Sequence, residues 1–200
     1  MLFSFGRKKV DLVAIALGNP GARYSTTRHN SGWILLDSAF PDMDWSNDKY
    51  LSSEIAIMNY GKHRILFVKP QTSMNLSGEI FKPLQKHYKF PPDGIVVAHD
   101  DIDLPLGKIK ISHARGDAGH NGLRSIARHF GSEYTRVRIG ISSDNGDGKV
   151  IKPAVLGKFT DSELEQLLAQ RKIFAKIIST LATAGHAMTM NLFNSKYEKD

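Results

Sequence analysis

A histidine stands at the end of the stretch Leu17-Gly18-Asn19-Pro20-Gly21-Ala22-Arg23-Tyr24-Ser25-Thr26-Thr27-Arg28-His29-Asn30, directly after an apolar run. Val13 to Leu17 reads as a buried strand, and the turn residues Gly18 to Gly21 stop it. In α/β proteins the ends of such strands gather ligand groups. An imidazole titrates near pH ~6.5 and can take or give a proton near neutrality, so His29 is a candidate catalytic base; capping a helix or bonding inside the core is the alternative. Three more segments have the same form. Lys69-Pro70-Gln71-Thr72-Ser73-Met74-Asn75-Leu76-Ser77-Gly78 follows a second apolar strand, His99-Asp100-Asp101-Ile102-Asp103-Leu104-Pro105-Leu106-Gly107 a third, and Gly119-His120-Asn121-Gly122-Leu123 a fourth. Amides and ionisable groups delivered from four strand ends are what an active site along one edge of a sheet requires.

The elements that must position these groups follow from the hydrophobic pattern. Strands are expected near Leu12 to Leu17, Glu54 to Met58, Arg64 to Val68, Ile95 to Ala98, Lys108 to Ser112 and Arg136 to Ile141. Asn59-Tyr60-Gly61-Lys62 turns the second into the third as an antiparallel hairpin. Helices are expected over Ser31 to Phe40, Ser77 to Tyr88 and Leu123 to Phe130, between the strands. This alternation implies an α/β fold: a single domain over residues 1 to 200, with a twisted, mixed, largely parallel sheet flanked by helices on both faces. A final long helix opens at Thr160-Asp161-Ser162-Glu163, a capping-box sequence. It carries Leu164, Leu167, Leu168, Ile173, Ile177 and Ile178 on a stripe that reads as core.

Composition narrows the partners. The 200 residues are 41% hydrophobic, enough for a substantial core, and carry a formal net charge of +7, which favours a polyanion such as nucleic acid. With no cysteine, neither disulfides nor thiolate metal ligands exist, and a cytoplasmic setting is the expectation. Met1 to Phe5 is apolar and precedes Arg7-Lys8-Lys9, the reverse of a signal peptide's order, and no run reaches transmembrane length. The segment Ser142 to Lys149 reads as a mobile loop.

The four motif segments, with Arg138-Ile139-Gly140-Ile141 and Val155-Leu156-Gly157-Lys158-Phe159, occur in an order and spacing that resemble bacterial-type peptidyl-tRNA hydrolase. That enzyme cuts the ester joining a stalled peptide to tRNA, and the resemblance covers most of the chain. It implies that His29 is the base that activates water and Asp100 the carboxylate orienting it, a His-Asp arrangement in which water replaces a serine. Serine as nucleophile is disfavoured independently, since no Gly-x-Ser-x-Gly elbow occurs. The resemblance further implies that Asn19, Asn75 and Asn121 position water, peptide and ester, that Tyr24 and Met74 wall the cleft, and that His120 is secondary. An asparagine offers a donor and an acceptor without charge and so suits peptide backbone of any sequence. From the residues alone, Asn75 could equally cap the next helix, Asn19 serve a turn and Met74 fill the core. The resemblance implies peptidyl-tRNA as partner, engaged at its acceptor stem and peptide end, no cofactor, no metal, no obligate protein partner, no membrane, and a monomer.

Departures from the family pattern fall on the RNA side. Asp117 and Ala118 stand in a run that is usually glycine-rich, Ser142-Ser143-Asp144 replaces a glycine, basic and proline continuation, and Ser112 stands where a lysine is usual. Lys108 and Lys110 share one strand face and Arg136 and Arg138 another by period-2 spacing. Lys110, Arg115 and Arg138 are the candidates to grip acceptor-stem phosphates. Two other readings are weighed: a catalytically reduced RNA-binding module on the same fold, and a metal-dependent peptidase using His99, Asp100, Asp101 and Asp103. Successive residues of an extended segment point to opposite sides, so Asp100 and Asp101 should not converge on one ion.

Overall fold

The computed structural model describes residues 7 to 144 and 150 to 195. In chain order it contains β1 (Lys8–Lys9), β2 (Leu12–Ala16), α1 (Ser31–Ala39), β3 (Ser46–Asp48), β4 (Ser53–Tyr60), β5 (His63–Pro70), α2 (Phe81–His87) and β6 (Tyr88–Lys89). These are followed by β7 (Ile95–Pro105), β8 (Ile109–His113), α3 (Asn121–His129), β9 (Thr135–Asp144), β10 (Val150–Ile151), α4 (Asp161–Leu168) and α5 (Arg171–Asn194). Short 3₁₀ segments occupy Ala22–Tyr24, Arg28–Asn30 and Met74–Ile80.

One eight-stranded mixed sheet runs β10-β9-β7-β2-β5-β4-β3, and β8 pairs with β9. β5, β2, β7 and β9 are parallel neighbours, while β3, β4, β8 and β10 add antiparallel edges. The central strands are sealed on both faces, so they are apolar at every position rather than alternating: all five residues of β2 are buried. Period 2 divides them between two cores. Leu12, Ala14 and Ala16 face α1 and α5 through Leu35, Phe174, Ile177 and Ile178, whereas Val13 and Ile15 face α2 and α3 through Phe81, Leu84, Leu123 and Ile126. Each such large side chain contributes about 1.5–3 kcal/mol when fully buried. The α/β class, the hairpin β4–β5 and helices on both faces are as the sequence implies.

Four element boundaries differ, each for a tertiary reason. β7 runs to Pro105 instead of ending at Ala98, so Asp100 and Asp101 lie within the strand, paired with Ile139 and Gly140 of β9. The helix expected over Ser77 to Tyr88 begins as a 3₁₀ segment, because Gly78 approaches α3 so closely that a Cβ there would lie 2.2 Å from the Ser125 carbonyl oxygen; regular helix starts at Phe81, placing Pro83 in its first turn where no N–H is needed. Ser142 to Asp144 continue β9 rather than opening a loop, Ser142 pairing with Pro105 of β7 and Ser143 and Asp144 with β10, and residues 145 to 149 of that expected loop lie outside the described residues. The final helix is two helices, broken between Leu168 and Arg171. The Thr160–Glu163 capping box forms as expected, but the break rotates the stripe so that Phe174 enters the core and Ile173 is 40% exposed. α5 bends again at Gly185, which has φ 75°. Beyond the bend Asn194 gives its carboxamide to both backbone groups of Ile111, covering the outer edge of β8.

Between Asp101 and Pro105, β7 carries extra residues relative to β9 and bulges over Gly140. A Cβ at Gly140 would lie 1.9 Å from the Pro105 carbonyl oxygen. Gly140→Ala is therefore expected to destabilise the fold by about 1–3 kcal/mol or more, read from urea unfolding midpoints. An unchanged midpoint would mean that the bulge is not closely packed.

Candidate active site

The carboxyl ends of β2, β5 and β7 lie side by side, and the segments after them are locked to one another by backbone bonds. Leu17 N–H donates to Ala98 O at 2.9 Å, continuing the sheet past the end of β2. Gly18 then passes under the Trp33 indole, whose Nε1 donates to Ala16 O at 2.9 Å. Asn30 reaches back with its carboxamide, accepting Asn19 N–H at 2.9 Å and donating to Asn19 O at 3.0 Å. Asn19 Oδ1 in turn accepts Met74 N–H at 2.8 Å, so the segment after β2 is tied to the segment after β5. Between these fixed points the 3₁₀ segment Arg28–Asn30 holds His29 6% exposed.

The charges converge on one oxygen. Asp100, 3% exposed, receives His29 Nδ1 at 2.7 Å and His120 Nε2 at 3.0 Å on the same Oδ1. His120 caps α3, and its Nδ1 accepts Gly122 N–H at 3.1 Å and Leu123 N–H at 3.3 Å. That acceptor role puts the His120 proton on Nε2, where it donates to Asp100, and the remaining acceptor capacity of the carboxylate fixes the His29 proton on Nδ1. Burial opposes ionisation of Asp100, but the charge and hydrogen bond of His120, followed by those of His29, prevail and hold it well below the usual carboxylate range. His29 Nε2 is left with its lone pair and makes no hydrogen bond among the described residues.

His29, Asp100, His120, Asn121, Ile102 and Val155 line a cavity of about 190 Å³. A fixed, anionic acceptor behind an imidazole that faces a partly apolar cavity can polarise a small protic molecule by proton abstraction. His29, Asp100 and His120 also place three potential metal-ligand atoms within 4.8 Å of one another, a different set from the His99-Asp100-Asp101-Asp103 cluster weighed from sequence. Their donor chemistry does not suit an ion: His120 could offer Nε2 only by moving its proton to Nδ1 and releasing the two backbone N–H groups that begin α3. Asp101 is meanwhile engaged by Arg138 at 2.6 Å and Asp103 by Lys152 at 2.7 Å.

The family model of peptidyl-tRNA hydrolase matches residues 13–200. The chain belongs to the peptidyl-tRNA hydrolase family. It is similar to the peptidyl-tRNA hydrolase of Bdellovibrio bacteriovorus, 41% identical over 155 residues covering 76% of this chain and 83% of that one. It is also similar to that of Geotalea daltonii, 37% identical over 188 residues covering 92% and 96%. Among solved structures, peptidyl-tRNA hydrolase from Acinetobacter baumannii superposes with a TM-score of 0.80 at 32% identity, covering 92% of this chain and 95% of that one.

Within this peptidyl-tRNA hydrolase fold the remaining candidates separate. Asn121 lines the cavity, its Oδ1 3.4 Å from Arg124 Nη1. Asn75 is exposed and caps no helix. Asn19 is occupied in tying the two segments together. Met74 is only 4% exposed and belongs to the α2–α3 core, correcting its placement on the cleft wall: the 3₁₀ turn after Ser73 points it inward against Leu17 and Gly122. Tyr24 lies off the cavity wall with the Arg23 guanidinium stacked 4.5 Å from its ring. Among the cations, Arg136 is 3% exposed and donates to the Gly116 and Arg115 carbonyls, so its expected equivalence with Arg138 fails: β9 is covered by the 113–120 loop at that point. Lys110 sits opposite Arg138 across β8–β9, and Arg115 is exposed.

Two contributors escaped the sequence reading, and a third was weighed there only as a metal ligand. Asn30 looked like a passenger beside His29, and nothing in sequence pairs it with Asn19. Arg28, 9% exposed, donates to Glu163 Oε1 and Lys158 O, each at 2.5 Å, while Arg28 N–H and His29 N–H donate to Gly157 O and Val155 O. The Val155 to Phe159 motif thereby holds the histidine turn, and Glu163 serves the α4 cap and Arg28 together. The burial of Arg28, Asn30 and His29 on one short turn is the only signal that could have found this, and sequence does not display it. His99 is the third: its Nδ1 is bonded to Asp100 O at 2.7 Å and its Nε2 is buried without a partner.

Burial, then the neighbouring His120, push His99 down to about 3. The unfolded chain takes up this proton near pH ~6.5, so between those values the unfolded state binds more protons and stability must rise with pH, by at most about 1.4 kcal/mol per pH unit for one group. Urea unfolding measured from pH 4 to 7 should show a slope of this sign, and His99→Gln should remove most of it. A slope unchanged in the variant would assign the acid sensitivity elsewhere.

Proposed function

We propose that this protein hydrolyses the ester between a peptide and the terminal ribose of tRNA, with His29 as the base that activates water. The observation that carries the reading is the 2.7 Å His29 Nδ1–Asp100 Oδ1 pair on the wall of the cavity; with the proton assigned to Nδ1, Nε2 keeps its lone pair. A water bound there gives a proton to His29 Nε2 as its oxygen adds to the ester carbonyl carbon, and the carbonyl electron pair moves onto oxygen. Collapse of the tetrahedral adduct restores the carbonyl and expels the ribose oxygen, which takes the proton back from His29. The products are a free peptide acid and a tRNA. Asp100 stays ionised throughout and stabilises the imidazolium between the two transfers. His120 orients Asp100 rather than reacting. Asn121, on the cavity wall, is assigned to the ester end, and Asn75, exposed, to peptide backbone.

Substrate RNA is assigned to the face beside the cavity. A second hollow of about 240 Å³ is lined by His99, Ser112, Arg115, Arg136 and Arg138, and three buried atoms lacking partners, His99 Nε2, Ser112 Oγ and Arg136 Nε, belong to its walls. The guanidinium groups of Arg115 and Arg138 around this concave surface, with Ser112 Oγ and Arg136 Nε behind them, suit a phosphate path. Arg115 and Lys110 are the contacts expected to contribute most, because Arg138 is already held by Asp101.

His29→Ala should lower kcat on a peptidyl-tRNA by ~100- to 10,000-fold with little change in Kd, since the base acts on water in the transition state. Asp100→Asn should do the same, because a neutral carboxamide does not stabilise the imidazolium that forms at His29. Near-normal kcat in either variant would refute the assignment. For RNA, Lys110→Ala and Arg115→Ala should each flatten the dependence of log Kd on log salt by about one unit, with a smaller effect for Arg138→Ala. Unchanged slopes in all three would place the RNA on another surface.

A further inference from the structure

One carboxylate on the catalytic cavity has no part in the proton transfers. Asp117 lines the cavity with His29 and Asn121, and it does not line the neighbouring hollow of Arg115 and Arg138, although Gly116 and Ala118 on either side of it do. Sequence sets Asp117 among the departures on the RNA side; the fold turns it toward the ester instead. Its position is fixed at both ends. Asp117 O accepts His120 N–H at 2.9 Å, Asp117 Oδ1 accepts Gly119 N–H at 2.8 Å, and Arg136 holds the Arg115 and Gly116 carbonyls just before it. The turn that presents His120 to Asp100 therefore also carries this carboxylate, and a group so held loses little freedom when a ligand arrives.

Charge on the cavity wall is unevenly covered. Asp100 lies between two imidazoles, Asp101 is paired with Arg138 at 2.6 Å and Asp103 with Lys152 at 2.7 Å. Asp117 Oδ2, among the described residues, has Arg124 Nε at 3.4 Å, longer than the roughly 2.7–2.9 Å of a charge-assisted bond. The Gly119 amide, and after it the Arg124 guanidinium, hold this carboxyl below its ordinary range, so it is anionic at neutral pH. No lysine or arginine among the described residues lines the cavity to offset it.

A charge in a confined, partly apolar space is screened less than one on open surface, so it sorts the charges that enter. The acid half of the ester brings one variable side chain next to the reacting carbon, that of the residue joined to the ribose. A volume of about 190 Å³ spans roughly one extended lysine side chain, so a substituent on the carbon beside the carbonyl reaches from the His29 wall to the Asp117 wall.

We propose that Asp117 is a specificity-determining residue that favours a cationic side chain on the amino acid esterified to tRNA. An ammonium or guanidinium there pairs with the carboxylate and raises kcat/KM for that ester, whereas an acidic side chain is repelled. This assignment rests on the hydrolytic reading above and adds to it the chemistry of the residue accepted.

The test compares two esters on one tRNA, Nα-acetyl-lysyl and Nα,Nε-diacetyl-lysyl, in which the second acetyl group removes the side-chain charge. The ratio of their kcat/KM values should favour the charged ester roughly 3- to 10-fold, the effect of one charge at a partly screened site. Asp117→Asn should bring the ratio close to unity, while its carboxamide oxygen still accepts the Gly119 N–H and keeps the turn. Arg124→Gln removes the competing guanidinium and should increase the ratio. A role in loop structure alone would change both esters together and leave the ratio as it was. A ratio near unity in the unaltered protein, or one that Asp117→Asn leaves unchanged, would overturn the proposal. It would also be overturned if Asp117→Asn cleaved both esters equally faster, since Asp117 would then be a repulsive neighbour of phosphate. Cleavage of the diacetyl ester by the unaltered protein reads the hydrolytic function separately: if it occurs with a ratio near unity, charge selection fails and hydrolysis stands, and if neither ester is cleaved, both fail.

Discussion

Asp100 Oδ1 accepts two imidazole N–H groups at once, and a buried carboxylate can do so only if both donors are held from independent directions. His29 comes from the segment after β2, His120 from the first residue before α3, and Asp100 from inside β7. Each donor removes part of the cost of keeping a charge at 3% exposure, and losing either would leave the oxygen under-satisfied in a low-dielectric setting. The same oxygen sets the tautomer of His29. Structure and chemistry thus share one constraint: the arrangement that makes Asp100 tolerable in the interior is the arrangement that leaves His29 Nε2 free.

The backbone around that oxygen is correspondingly over-determined. Asn30 clamps Asn19, Asn19 holds the Met74 amide, and Arg28 binds the Lys158 carbonyl and the Glu163 carboxylate while its guanidinium lies 5.1 Å from the Phe159 ring. A buried arginine is justified by satisfied donors rather than by the ion pair alone, and here one orphan, Arg28 Nε, remains. The result is a histidine whose main chain is fixed through the 154–159 segment and whose ring is fixed through Asp100, the preorganisation that proton transfer requires.

The loop from His113 to His120 holds left-handed backbone at two residues that are not glycine. Ala114 and Ala118 both adopt φ 49°, a left-handed conformation that costs an L-residue about 1–2 kcal/mol. What holds them there is visible: Arg136 binds the Gly116 and Arg115 carbonyls, Asp117 Oδ1 accepts Gly119 N–H at 2.8 Å, and His120 N–H closes onto Asp117 O at 2.9 Å. Asp117, kept anionic chiefly by the Gly119 amide, with Arg124 adding to the effect, lies on the wall of the cavity. Strain is retained where surrounding bonds impose a single conformation, and this loop carries His120 to Asp100 at its far end.

Much of this protein is legible in its sequence. The apolar runs from Leu12 to Leu17 and from Arg64 to Val68 read as buried strands because they are short, unbroken and bounded by turn residues. The turn at Gly61 required a hairpin, and Thr160 with Glu163 required a helix start. His29 and Asp100 were singled out by residue type and by a family resemblance that reaches across the chain. Sequence could not supply contacts between residues distant along the chain, because local propensity carries no record of them. Asn30 with Asn19, Arg28 with Glu163 and His120 with Asp100 exist only once β2, β7 and α3 are brought together. The inward turn of Met74, the burial of Arg136, the early 3₁₀ form at Gly78 and the break before Arg171 were likewise settled by which surface each segment met. Residue types and their order along the chain fixed the chemistry available; the tertiary structure chose which groups meet, because burial and hydrogen-bond satisfaction are properties of the assembled fold.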